Sequence, residues 1–203
     1  MNPERLTQAV HRVAIGFGIL CFDINLGRFN ILPNWLGYWL ILKVLDDIAL
    51  EEPSAALLKP LGKLLMLWFV GVWFLQIFGG TVKGSFMVYI VAVEQIYFQF
   101  QLLTNLAGIA GKYAPRFAYR ILQLRTAMTL IVTGYTLLSA FVVSEAVTVM
   151  TAVVQIAVAF WLLRTLLNME NTMAERFGLN EERPMSFAER IQQDADYEKT
   201  AEG

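Results

Sequence analysis

The sequence predicts an all-α integral membrane protein of about six transmembrane helices arranged as three hairpins, with both termini cytoplasmic. Three observations predict it. Apolar residues make up 57% of the 203 residues and lift the mean hydropathy to +0.52. Long runs such as 64–81 contain no charged residue, although 17 acidic and 16 basic residues are present overall. The basic residues also fall into alternate connections between apolar runs.

A membrane-length window finds apolar segments at 10–26, 31–45, 61–78, 86–106, 121–143 and 147–167. The first two are short for a hydrocarbon core of about 30 Å, so they either span with snorkelling by Arg12 and Lys43 or dip in as a re-entrant hairpin. The first lacks a small-residue cleavage site at its end, where Asp23, Asn25 and Arg28 stand, and reads as a retained helix. Residues 1–167 therefore form the membrane domain. Residues 168–203 read as a polar cytoplasmic tail, partly flexible, in which Ser186 and Glu189 form a capping box.

Orientation follows from the basic residues. Arg5, Arg12, Lys43, Lys59, Lys63, Lys112, Arg116, Arg120, Arg125, Arg164, Arg176 and Arg183 fall on one side, against Arg28 and Lys83 on the other. The rich side is the cytoplasm. The chain is then a multi-pass protein of the cytoplasmic membrane. Gln95, Ile96, Phe100, Leu102, Leu103 and Leu106 recur at the same spacing as Gln155, Ile156, Phe160, Leu162, Leu163 and Leu166. A diverged hairpin repeat and a chance match between leucine-rich helices both account for this.

Several function classes are excluded. Nucleic-acid binding needs a basic patch on a soluble surface, and none is present. One cysteine, Cys21, permits no internal disulfide and no cysteine zinc cluster. His11 is the one histidine, so no H-E-x-x-H metalloprotease site exists, and no G-x-S-x-G occurs. Asp46 and Asp47 with Glu51 and Glu52 hint at a metal-diphosphate motif. The third acid is misplaced, and an acidic helix end beside Lys43 and Lys59 is the simpler account. No catalytic residue, metal or cofactor is expected.

The polar residues inside apolar segments remain. Glu94 falls well inside the fourth segment, where an acid costs about 2.5–3.5 kcal/mol on insertion scales. Gln101 and Asn105 lie within about 40° of it on a helical wheel, and Gln95 and Gln99 form a second strip alongside. That side of the helix must face other helices or a water-filled cavity. Either a neutral Glu94 hydrogen-bonds across helices, for instance to Gln76 or Gln155, or it is a proton or cation site.

The first hairpin is the second constellation. Pro33 fits the first turn of a helix; Asn30 or its neighbours cap the free donors there, and Asp23 can accept from them. Trp35, Tyr38 and Trp39 read as an outer interfacial anchor, and Gly37 as a point of close helix approach. The run 22–41 contains Pro33, Asn34, Gly37, Tyr38 and Ile41. It resembles the signature D-x-L-P-D-x-x-G-Y-x-L-I of a bacterial membrane protein family of uncharacterised function. Asn30 and Asn34 stand where that signature has acids. The resemblance implies a multi-pass membrane protein and no activity, substrate or cofactor.

Two functions follow as expectations. The first is a structural or interaction role, with the lipid bilayer and either another membrane protein or a second copy of the chain as partners. The alternative is a small proton- or cation-coupled transporter or channel centred on Glu94, and a membrane enzyme ranks behind both. Topology is testable in a Cys21-free background. A cysteine at Gly84 should react with an impermeant thiol reagent on intact cells, and ones at Ala114 or Ala188 should not. Labelling at Ala114 in intact cells would overturn the orientation.

Overall fold

A computed structural model describes residues 2–21, 25–26, 29–30, 33–80, 82, 86–139 and 145–179. Its elements in order are α1 (Pro3–Cys21), a two-residue antiparallel ladder pairing Asn25 with Asn30 and Leu26 with Phe29, α2 (Asn34–Leu42), α3 (Leu45–Glu51), a 3-10 turn (Pro53–Leu57), α4 (Leu58–Ile77), α5 (Phe86–Tyr113), α6 (Pro115–Ser139) and α7 (Glu145–Arg176). Among the described residues, four helical stretches are long and apolar enough to cross a membrane: Pro53–Ile77, Phe86–Tyr113, Pro115–Leu138 and Ala146–Arg176.

The helices close into a ring in which α1 packs on α2, α2 on α4, α4 on α5, α5 on α6, α6 on α7, and α7 back on α1. Helix α1 differs in kind from the four long apolar stretches. Its buried residues Leu6, Ala9, Val10, Val13, Ala14 and Phe17 follow the 3.6-residue period, while Gln8, His11, Arg12 and Ile15 are exposed. It starts earlier than the hydropathy window suggests. Asn2 accepts the Glu4 amide at 3.0 Å, and Pro3 occupies the first helical position, where a missing N–H costs nothing.

Helix α2 has nine residues, about 14 Å at 1.5 Å per residue, and by itself covers less than half of a hydrocarbon core. It is held by an unusually close crossing with α1. A Cβ on Gly37 would lie 2.8 Å from the Gly16 carbonyl oxygen, and one on Gly16 would lie 3.0 Å from the Gly37 carbonyl and 2.7 Å from Ile41. Backbone touches backbone here, which only two facing glycines allow.

At the end of the bundle that carries most of the charged side chains, the elements extend beyond their apolar windows. Helix α5 runs to Tyr113, and Ala114 alone separates it from α6. The stretch expected as a long basic loop is therefore helical. Its charges sit on exposed helix faces, as at Lys112, Arg116 and Arg120, which interrupt hydropathy without interrupting the helix. Helix α7 likewise continues past Leu167, because Met169, Met173 and Ala174 extend its buried stripe. Gly178 ends it at φ +70°, with the Leu179 amide bonded to the Ala174 carbonyl and the Gly178 amide to that of Glu175. Gly79 (φ +78°) closes α4 by the same glycine cap. The Ser186–Glu189 capping box lies outside the described residues.

Packing density is uneven along the bundle. Leu102, Leu106, Ile109, Ile121, Leu166 and Met169 are fully buried at the charged end. At the other end Phe74, Phe86, Leu137, Val149, Met150 and Val153 are exposed on all four long apolar helices. The glycine crossing gives a direct test. Gly37→Leu should destabilise the detergent-solubilised protein by about 1–3 kcal/mol, the usual cost of overpacking. Gly71→Ala, where an added Cβ meets nothing within 4 Å, should be neutral in the same thermal-aggregation assay.

Candidate functional site

Helix α5 carries most of the polar side chains found inside the bundle, and its 3.6-residue period sorts them by depth. Gln101 and Asn105, one turn apart, face the 3-10 turn that follows α3. Ser54 donates to the Asn105 carbonyl oxygen at 2.7 Å, and Gln101 donates to the same oxygen at 3.1 Å. Asn105 is 2% exposed, and its amide nitrogen has no hydrogen-bond partner among the described residues. This cluster ties the 3-10 turn ahead of α4 to the second half of α5.

Glu94 lies on the same side of α5, nearer its start, where the polar neighbours give out. It lines a groove of about 400 Å³ between α4 and α5 with Leu64, Leu67, Trp68, Gly71, Val72, Leu75, Val82, Met87, Ile90 and Val91. The groove opens sideways, since Leu64 and Leu67 are more than half exposed. Neither Gln76 nor Gln155 reaches Glu94, which makes no hydrogen bond or ion pair with any described residue. The stripe of Glu94, Gln101 and Asn105 thus shares one side of the helix but splits into a bonded cluster and an unpaired acid.

Gln95 donates to the Tyr38 hydroxyl at 3.3 Å, while Gln99 and Gln155 stand outside these networks. Tyr38 is not an interfacial anchor. It is fully buried, stacked on Phe69 at 5.6 Å and edge-on to Phe98 at 5.3 Å, because with Gly37 and Ile41 it occupies the inward face of a short helix. Trp39 is the partly exposed ring of that group, with the Lys43 ammonium 3.7 Å above it. Pro33 stands one position earlier than the first turn, as the extended N-cap residue of α2, and no side chain caps the helix. Asn34 follows it as the first helical residue, with its side-chain oxygen buried and unpartnered among the described residues. Asp23 and the side chain of Asn30 lie outside the description.

Asp46, Glu51 and Glu52 of the acidic cluster are in ion pairs, and Asp47 is in none with the described residues. Asp46 pairs with Lys59, and Lys112 meets Glu52 at 3.0 Å and Glu51 at 3.5 Å while donating to the Glu51 carbonyl at 2.7 Å. Glu52 lies over Gly108, whose missing side chain makes room for the carboxylate. Among the described residues no three metal-ligating side chains converge.

Two pairs were not legible in the sequence. His11 Nδ1 is 2.8 Å from a carboxylate oxygen of Glu170, an acid 7% exposed between α1 and α7. Glu170 lies in what reads as a polar tail, so nothing in the linear pattern marked it as buried. Arg125, about three turns into α6, donates to Thr104 at 2.9 Å and stacks over Phe100 at 4.2 Å. In sequence it counts only as a cytoplasmic-side cation at the start of the fifth apolar segment, whereas the α5–α6 hairpin sets it against Phe100 and Thr104, one turn apart on α5.

No known protein family, curated protein or solved structure matches the chain. The bonded cluster yields a prediction of its own. Ser54→Ala should cost about 0.5–1.5 kcal/mol, the usual worth of one hydrogen bond. The same change made in an Asn105→Ala background should cost little, since the shared acceptor is already gone. Equal costs in both backgrounds, measured by thermal unfolding in detergent, would show that the two side chains do not interact.

Proposed function

We propose that the chain is a multi-pass protein of the bacterial cytoplasmic membrane that acts by interaction. Its α4/α5 face receives a transmembrane helix of another membrane protein, and Glu94 is the polar anchor of that contact. The observation that carries this reading is an unpaired acid in a lateral groove whose other walls are apolar. At membrane depth such an acid costs about 2.5–3.5 kcal/mol, and lipid tails offer no hydrogen-bond donor to offset it. A partner helix bearing a hydroxyl, amide or basic side chain does. The bare backbone at Gly71 supports the same reading, because a small residue in an apolar groove lets a second helix approach closely.

Both termini are proposed to be cytoplasmic, on the strength of the basic residues at the packed end. The α1/α2 hairpin enters from that side, and α2, too short to cross alone, returns within the membrane. A proton- or cation-coupled transport role would use Glu94 as well. It would require a hydrated path, whereas the residues around Glu94 are leucine, valine, methionine and tryptophan, and Gln101 and Asn105 beyond it are engaged with Ser54.

The test compares two substitutions of one residue. A photoreactive residue at Gly71 should give a discrete cross-linked adduct in cell membranes. Glu94→Gln, which keeps a donor and an acceptor in the same shape, should preserve that adduct and the cellular phenotype. Glu94→Leu should reduce adduct yield by about tenfold, corresponding to one lost hydrogen bond to a charged or polar group. An adduct at twice the chain's own mass would make the occupant a second copy. A folded Glu94→Gln protein that has lost its cellular role would overturn the interaction reading in favour of transport, since an amide cannot titrate.

A further inference from the structure

At the packed end of the bundle a cleft of about 480 Å³ lies between α6 and α7, lined by Arg116, Phe117, Arg120, Asn168, Asn171, Thr172 and Glu175. Arg116 and Arg120 are one turn apart at the start of α6 and share a face. The α7 residues recur at the spacing of one helical stripe. Arg116 donates to the Thr172 hydroxyl and lies 4.8 Å over the Phe117 ring. Arg120, Asn168 and Asn171 make no hydrogen bond or ion pair with any described residue.

Two guanidinium groups and two free amide side chains therefore meet on one concave surface, against a single lining acid, Glu175. Planar guanidinium donors match the oxygens of a carboxylate or a phosphate in pairs, and two guanidinium groups with two amides suit the phosphate, which presents more acceptor oxygens. Further along the same two helix faces come Leu130, 68% exposed, and Trp161, 55% exposed. A chain attached to a phosphate in the cleft would find an apolar track there. Basic clefts between transmembrane helices at the cytoplasmic interface are where anionic headgroups settle.

We propose that this cleft binds a phosphate group, carried either by an anionic phospholipid or by free inorganic phosphate. The lipid source rests on the membrane placement proposed above, and carbonate extraction of the same membranes tests that placement separately. The protein, purified in neutral detergent, is titrated with phosphatidylglycerol, phosphatidylcholine and inorganic phosphate, and bound species are counted by native mass spectrometry. Arg120→Gln and Asn171→Ala remove side chains without internal bonds and should leave the fold intact. Arg12→Gln, an exposed arginine on α1, controls for general surface charge.

Preferential binding of phosphatidylglycerol, weakened roughly tenfold by Arg120→Gln and unaffected by Arg12→Gln, is the expected result for a lipid phosphate. Binding of inorganic phosphate with the same dependence, and no preference between the two lipids, would assign the site to the free anion. Binding that ignores Arg120→Gln and Asn171→Ala for every probe, or that falls equally with Arg12→Gln, would overturn the proposal.

Discussion

The one-residue connection between α5 and α6 is the joint through which the bundle's charged end is tied together. Lys112 sits just before it and reaches Glu51 and Glu52, which anchors the short α3 and the turn after it. Arg176, at the end of α7, donates to the Lys112 and Tyr113 carbonyls, groups that the end of α5 leaves without intrahelical partners. The Phe177 ring meets Tyr113 edge-on at 5.3 Å. Segments far apart in the chain thus converge on a single turn. Because the bonds go to backbone carbonyls as well as to carboxylates, they hold geometry and do more than balance charge.

From that joint the structure loosens toward the other end. The residues that fill the core lie on α1, α3, the second halves of α5 and α7 and the first half of α6, and the far halves of the four long helices keep large apolar side chains on their surfaces. In water such a surface would drive aggregation. Next to lipid tails it costs nothing, and helix association there depends on close contact and on hydrogen bonds. That is why the few polar or glycine positions in this half, Glu94 and Gly71 above all, weigh more than the many leucines around them.

The same physics distinguishes Arg125 from Glu94. Arg125 has a hydroxyl and an aromatic face on the neighbouring helix, while its buried Nε has no partner among the described residues, so its cost is met only in part within the chain. Glu94 has neither, and its groove is open to the side. A partly compensated charge bridges α5 and α6, whereas an acid with no partner among the described residues, at a lateral surface, points outward to whatever lies beside it.

Much of this was legible in the sequence, for definite reasons. Hydropathy identifies helices wherever a lipid-length run is apolar on every face, and it found the segments that became α4 to α7 because composition alone makes that signal. The wheel relating Glu94, Gln101 and Asn105 was also readable, since helical periodicity is a property of the chain. What sequence could not supply was which groups meet across helices. Tyr38 reads as an interfacial ring and is buried, because the inward face of α2 is chosen by the Gly16–Gly37 crossing and not by residue type. Glu170 reads as a tail charge and Arg125 only as a cytoplasmic-side cation, and they are held against His11 and Thr104, because α7 extends beyond its apolar window and α6 packs back along α5. Periodicity and hydrophobicity are local sums along one strand of chain, so they determine helices and their faces. Pairing a carboxylate with a particular histidine, or leaving an acid unpaired in a groove, depends on the rotation and depth of one helix against another, and only tertiary packing decides those.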